Sequence, residues 1–346
     1  MASSYLRNSE PGRRLSQKEI ADKVGVSIST VSRALSDKPS TLSEELKQKV
    51  KSAAEELFRQ KTMFGDGKKL EHIGLFIGAS SAPFAFVVDP FYGDILLGIE
   101  GECKKQGFHL SFTTIDRGQD DPAFIFEKIK QTNIDGAIFL AVDNRRLLEE
   151  VVESGLPSVL VNARHPGLPI DTFLPNNHDG AALAVQHLLQ KGHKRILYIV
   201  DLHRATIRSR YEAYQTTLEQ AGLFDPTLVL RTTTGKEEVI IQQFFQGPKP
   251  DFTAIFCTND VTALQTIKVL HEFKLRVPED YSIVGFDDLS VVNLIDPPLT
   301  TVRVERQQLG ARAVRGLIDR VALPNTATET VELACQLIER KSVKII

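Results

Sequence analysis

The sequence predicts a mixed α/β protein: a small all-α helix–turn–helix head followed by two α/β lobes with parallel sheets. Three observations lead there. The stretch LSQKEIADKVGVSISTVSRAL, Leu15 to Leu35, holds two short amphipathic helical patterns separated by Gly25. From His72 onward, short β-rich apolar runs alternate with amphipathic helical stretches. Between these regions lies RQKTMFGDGKK, polar with two glycines, which reads as a linker. The expected division is a tail over 1–14, a head over 15–59, a linker over 60–70 and a two-lobed body over 71–346.

In the head, Ser16 and Glu19 have the spacing of a capping box, which starts a helix where the apolar residues begin. Ile20, Ala21 and Val24 then share one face. Gly25 turns the chain at no steric cost, and Ser27 caps a second helix. Val31 and Leu35 stack at i, i+4 facing inward, leaving Ser29, Ser32 and Arg33 on the other face with Ile28 at its edge. Small inward residues allow close helix approach, and the outward set suits a DNA groove. The alternative is an amphipathic helix pair with no nucleic-acid role. A third helix is expected from Ser43 to about Phe58, its stripe formed by Leu46, Val50, Ala53, Ala54 and Leu57.

In the body, HIGLFIGA, FHLSFTT, DGAIFLAV and PSVLVN read as a first series of strands. ILYIV, TAIFCTN and YSIVGFDD form a second. Intervening segments such as GAALAVQHLLQKG have helical period and end in Gly, so each series builds a parallel sheet flanked by helices. Ligands of such sheets bind beyond the carboxyl ends of the strands.

The net charge of −2 hides an asymmetry. Residues 1–70 carry 14 Lys and Arg against 9 Asp and Glu, and the remainder 28 against 35. A basic head on an acidic body suits a protein that meets phosphate with one end. Cys103, Cys257 and Cys335 are odd in number and far apart, which argues against a disulfide framework or a metal site. The first residues, MASSYLRNSEPGRR, lack the apolar core of a secretory signal, and no apolar run is long enough to span a bilayer. The expectation is a cytoplasmic protein without a cofactor.

The run IADKVGVSISTVSRAL resembles the head of the LacI/GalR family of bacterial transcription regulators. The similarity continues through DPFYGDILLGIEGECKKQGF, NNHDGAALAVQHLLQKGHKRILYI, IRSRYEAYQTTLEQAGL, AIFCTNDVTALQTIKVLHEFKLRVPEDYSIVGFDDLS and PPLTTVRVERQQLGARAV, in order. The resemblance implies a body like that of periplasmic sugar-binding proteins. The residues expected at DNA are Ser16, Ser27, Ile28, Ser29, Thr30, Ser32 and Arg33.

For the body, the resemblance implies that Arg210, Asn259 and Asp287 hold a small-molecule effector. The family's Arg stands three residues before a Gly–aromatic pair; here Arg210 precedes Ala213 and Tyr214, with Arg208 the fallback. Phe91 is expected to stack on an apolar ligand face, since the chain has no Trp. Structural alternatives stand beside these: Arg210 as a solvated first-turn residue, Asn259 and Asp260 as helix caps, Asp287 as one end of a turn. Asp287 and Asp288 invite a glycosidase reading. Neighbours on an extended strand point to opposite faces, however, so they are badly placed to flank one bond.

Two features depart from the family. Its hinge after the third helix carries Pro, Asn, Ala and a Leu that wedges into the minor groove. Here FRQKTMFGDGKK leaves only Met63 and Phe64 as apolar wedges, with Lys68 and Lys69 for phosphate contacts. Val304 replaces a frequent Gln, and RTTTGKE lacks the aromatic that some members stack on their ligand.

The expected function is a homodimeric, non-enzymatic regulator reading a near-palindromic double-stranded operator, most simply a repressor of sugar-uptake or catabolic genes. Its effector would be a sugar or sugar phosphate, with a nucleobase corepressor as the alternative. A sugar-binding protein of a transporter is the reading from another class.

Overall fold

The computed structural model describes residues 16–36, 42–64, 70–79, 90–116 and 122–346. Helices α1 (Gln17–Val24), α2 (Ile28–Ala34) and α3 (Glu44–Phe64) form the head. Ser16 accepts from the Glu19 amide at 3.3 Å, while Glu19 Oε2 accepts from the Ser16 amide at 2.9 Å. This reciprocal box satisfies donors that a helix start leaves open. Gly25 sits in the left-handed region at φ 76°, and its N–H reaches back to the Ala21 carbonyl. Ile20, Ala21, Val31, Ala34, Leu35, Val50 and Ala54 bury together as the head's core.

Helix α3 ends later than expected, at Phe64 rather than Phe58. No Gly or Pro interrupts the sequence between Glu44 and Phe64, and the first glycine is Gly65. Met63 and Phe64 therefore belong to the last turn of a 21-residue helix. Lys68 and Lys69 lie outside the described residues, as does the tail.

The first lobe is a six-stranded parallel sheet in the order β11-β5-β4-β3-β1-β2. Its strands are β1 (His72–Ala79), β2 (His109–Asp116), β3 (Gly136–Leu140), β4 (Ser158–Val161), β5 (Asp171–Pro175) and β11 (Thr330–Leu333). Helices α4 (Pro90–Gln106), α5 (Pro122–Thr132) and α6 (Arg145–Glu153) alternate with them. The second lobe has a four-stranded parallel sheet, β7-β6-β8-β9. These are β6 (Ile196–Val200), β7 (Val229–Arg231), β8 (Ala254–Cys257) and β9 (Ser282–Val284), with α7 (Asn177–Gln190), α8 (Ala205–Gln220), α9 (Glu237–Gln246) and α10 (Asp260–Glu272). An antiparallel pair, β10 (Thr301–Arg303) and β12 (Gln336–Ile338), lies beside it.

Strands β3, β4, β6 and β8 are buried along their whole length, which is why they read as continuous apolar runs. Helix α11 (Arg306–Ala322) carries the chain back from the second lobe to pack against α4, β3, β4 and β5 of the first. Strands β5, β7, β10, β11 and β12 were not among the expected ones. Three of them have only three residues, too few for a period to show.

Candidate functional site

Two candidate surfaces follow from this fold, one on the head and one between the lobes. On the head, the Ser27 hydroxyl caps α2 by accepting from the Thr30 amide at 3.1 Å, and it lies 2.8 Å from both the Ser29 and Thr30 hydroxyls. Ser16, Ser27, Ile28, Ser29, Ser32 and Arg33 are exposed and Thr30 is half-buried. Ile28 is 49% exposed at the edge of this face. Arg33 Nε donates to the Ser29 carbonyl at 3.3 Å, which binds the two candidates of adjacent turns to each other. The face is polar, convex and one helix wide, the form that enters a major groove.

Between the lobes lies a polar cleft, the kind of place where small-molecule sites form in paired lobes. Its walls include Phe91, Tyr92 and Asn162 from the first lobe, and Arg204, Arg210, Asn259 and Asp287 from the second. The four residues named from sequence thus meet at one place. Each belongs to a segment that begins at the carboxyl end of a strand or at the start of a helix.

Arg210 is on the sixth residue of α8 and is only 3% exposed, so it is not a solvated first-turn residue. Its Nε donates to Asn177 Oδ1 at 2.8 Å, Nη1 to the Thr258 carbonyl at 2.6 Å and Nη2 to Asp287 Oδ1 at 3.4 Å. The guanidinium also lies 3.6 Å from the centre of the Phe286 ring. Arg208, the fallback, is exposed and donates to the Leu202 and His203 carbonyls, away from the cleft. Asn259 does cap a helix, accepting from the Thr262 amide at 2.8 Å, and it lines the cleft as well. Phe91 packs edge-on to Tyr92, their centroids 5.3 Å apart, at the cleft wall.

The backbone at Asp287 and Asp288 departs from expectation. Strand β9 stops at Val284, and the two residues sit at φ 115° and 54° instead of extending it. Left-handed backbone is costly for residues with a Cβ, so the surroundings must hold it. Arg306 Nη1 donates to the Asp287 carbonyl, and the Asp288 carboxylate is taken by Arg303 at 2.7 Å and Arg340 at 2.5 Å. From α10, Asp260 Oδ2 accepts from the Leu289 amide at 2.8 Å and Oδ1 from the Thr301 hydroxyl at 2.5 Å. Burial, reinforced by Asp287, pushes the Asp260 carboxyl up to about 8. The two aspartates still serve different partners, as the sequence suggested, but through a turn rather than a strand's alternation.

Sequence reasoning missed two prominent wall residues, Arg204 and Asn162. Arg204 precedes α8 and reaches across the cleft, donating to Asp143 Oδ2 at 3.0 Å, the Tyr92 hydroxyl at 2.6 Å and the Asn162 carbonyl at 2.6 Å. Burial opposes its charge, but Tyr92 and Asp143 outweigh that and hold its pKa above the usual value. Asn162, at φ 51°, is 3% exposed, and its Oδ1 has no hydrogen-bond partner among the described residues. A buried acceptor left open beside a cavity costs free energy until a donor arrives. The missed signal was position: Arg204 follows ILYIV and Asn162 ends PSVLVN, both at strand ends.

The wall is therefore rich in fixed hydrogen-bonding groups with an aromatic pair at one side. It suits a compact polar ring, held by guanidinium and amide groups at its edge and by Phe91 or Tyr92 on its face. Among the described residues there is no cluster of His, Cys, Asp or Glu able to hold a metal, and no helix long and apolar enough to cross a membrane.

Residues 16–58 match the model of bacterial regulatory proteins of the lacI family, and residues 185–343 match a periplasmic binding protein-like domain. The chain is 30% identical over 345 residues to the HTH-type transcriptional repressor PurR of Haemophilus influenzae (strain PittEE), covering 95% of this chain and 98% of that protein. It is 29% identical over 337 residues to the ribose operon repressor of Escherichia coli (strain K12), covering 94% and 98%. A solved structure of the transcriptional regulator CelR in complex with cellobiose superposes with a TM-score of 0.72 at 26% identity, over 95% of this chain and all of that one. With the head motif, the paired lobes and a repressor of near-equal length at this identity, the chain belongs to the LacI family of bacterial regulatory proteins.

Proposed function

We propose that the protein is a homodimeric transcription repressor whose head reads one half of a near-palindromic operator and whose cleft binds a small-molecule effector. The observation that carries the reading is the pairing, in one chain, of an exposed recognition face on α2 with a polar inter-lobe cleft. A transporter's binding protein needs the cleft but has no use for the head. In this reading Ser29, Ser32 and Arg33 contact base edges, Ile28 meets a thymine methyl, and Ser16, Ser27 and Thr30 contact backbone phosphates. The head ends with α3 at Phe64, the body begins near Glu71, and the protein works in the cytoplasm, where its DNA is.

Arg204, Arg210, Asn259 and Asp287 orient the effector, with Asn162 and the Phe91–Tyr92 pair closing over it. A sugar or sugar phosphate fits these groups: Asp287 accepts from neighbouring hydroxyls and the two arginines donate to ring or phosphate oxygens. The aromatic pair beside two arginines also favours a second effector class, a planar nucleobase with carbonyl acceptors. That choice matches the two kinds of relative, one named for PurR and one for the ribose operon. Ligand that closes the lobes shifts the balance between DNA-competent and incompetent states, a coupling typically of about 1–3 kcal/mol.

The test combines two assays on the full chain. Mobility shifts with fragments upstream of neighbouring genes identify the operator. Calorimetry with ribose, ribose 5-phosphate, hypoxanthine and guanine then separates the effector classes. Retarded fragments and one bound class support the proposal. Binding of a sugar with no retarded fragment favours the transporter reading.

A further inference from the structure

The head does not close its core alone. Leu323, which lies in the body at the end of α11, packs into the cluster formed by Ile20, Val31, Leu35, Val50 and Ala54, and helices α3 and α11 touch there. The turn that presents Leu323 is firmly held. Arg320 donates from Nε and Nη2 to both oxygens of Asp171 at 2.6 and 2.9 Å, and from Nη1 to the carbonyls of Pro324 at 3.2 Å and Thr326 at 2.8 Å. A bidentate arginine on a buried carboxylate fixes direction as well as distance. Leu323 is thus an apolar knob on a stiff mount.

The other end of the same helix stands at the cleft. Arg306, the first residue of α11, donates to the carbonyls of Asp287 and Asp288 and to Asp94 of α4 at 2.7 and 2.9 Å. Helix α4 carries Phe91 and Tyr92 of the cleft wall. The two helices cross with their backbones in contact: a Cβ at Gly98 would lie 2.0 Å from the Gln307 carbonyl oxygen, and one at Gly310 would lie 2.2 Å from that of Ile95. Backbones this close cannot slide past each other without a clash, so α4 and α11 move as one piece. Seventeen residues of helix span about 25 Å.

We propose that α11 is the strut through which the cleft acts on the head, with Arg306 gripping the Asp287 turn at one end and Leu323 packed against the head's core at the other. A change in the Asp287 turn moves Arg306, and the rigid helix carries the movement to Leu323. The head is thereby held or released by the body independently of the linker. Coupling of this kind needs a physical element that both sites bias, and α11 touches both.

The test is hydrogen exchange on the full chain without DNA or effector, so that its failure leaves the repressor reading standing. Leu323→Asp places a charge in the head's core and should speed exchange of the amides between Val50 and Ala54 by about tenfold or more, while β3 stays protected. Asn325→Ser, two residues along the same turn, should change nothing. Arg306→Gln should speed exchange in the head severalfold from the far end of the strut. Unchanged head exchange in Leu323→Asp overturns the seat, and an Arg306→Gln effect confined to the cleft overturns the strut. If Leu323→Asp also loosens β3, Leu323→Met decides. Normal head protection with Met supports an apolar seat, whereas fast exchange with Met shows that the turn's own fold was at fault and overturns it.

Discussion

The head and the cleft face their ligands in opposite ways. On the head, the candidate contacts are exposed and belong to one short segment, and apart from the caps their side chains do little to hold the fold. In the cleft, the candidates are gathered from distant segments and are buried against one another before any ligand arrives. The candidate groups on the head are thus separable from stability, whereas in the cleft the candidate groups also hold the fold together. Substitutions should divide along the same line.

The largest effect is expected at Arg210. Arg210→Ala leaves Asp287 buried without its guanidinium and strands Asn177 Oδ1 and the Thr258 carbonyl. Breaking a buried pair of this kind commonly costs about 3–5 kcal/mol, so the variant should lose stability as well as effector response. Urea denaturation measures it. A variant with wild-type stability would erase the contrast between the two surfaces.

Next comes the pH response of Asp260. Its carboxyl is held up to about 8, against an ordinary value of 3.8. The folded state therefore keeps a proton that the unfolded chain releases. This contribution is complete below about pH 4 and is lost as pH rises toward 8, with a slope of at most about 1.4 kcal/mol per pH unit. Asp260→Asn retains an acceptor for the Leu289 amide and a partner for Thr301 while removing the titration. Denaturation midpoints between pH 5 and 8 should fall in the wild type and stay flatter in the variant; parallel curves would contradict the account.

On the head the expected changes are smaller in stability and specific in binding. Arg33→Ala should leave the denaturation midpoint within about 0.5 kcal/mol of wild type, as surface substitutions usually do. It should weaken operator binding by about 1–3 kcal/mol per half-site and relax discrimination at one base position. Fluorescence anisotropy on operator and random duplexes separates the two terms, and an unchanged ratio would remove Arg33 from base readout. Ser27→Ala is the smallest and the exception, because the Ser27 hydroxyl caps α2. It should cost about 1 kcal/mol of head stability, read from the head's hydrogen exchange.

The same contrast explains what the sequence disclosed. The head's helices follow from local rules: the Ser16–Glu19 box, Gly25 and the Ser27 cap each act within four residues, so the motif is legible in a window of twenty. The paired lobes were legible because β3, β4, β6 and β8 are buried on both faces and read as apolar runs. Arg210, Asn259 and Asp287 emerged through family resemblance, yet Arg204 and Asn162 did not. Their roles depend on meeting across the cleft, where Arg204 Nη2 donates to the Asn162 carbonyl 42 positions away. The end of α3 is hidden in the sequence because RQKT is polar like a linker, yet nothing breaks the helix before Gly65. Likewise, the turn at Asp287 is imposed by Arg306, Arg303 and Arg340 from later in the chain, and no local pattern announces it.

The central claim is that the exposed face of α2 reads DNA sequence on behalf of the whole chain. Selection of duplexes from a random library by the full-length protein tests it most directly. The account predicts convergence on a near-palindrome of two half-sites, bound about a thousandfold or more above random duplex. A pool that stays random after repeated rounds, with retention depending on salt alone, would contradict it.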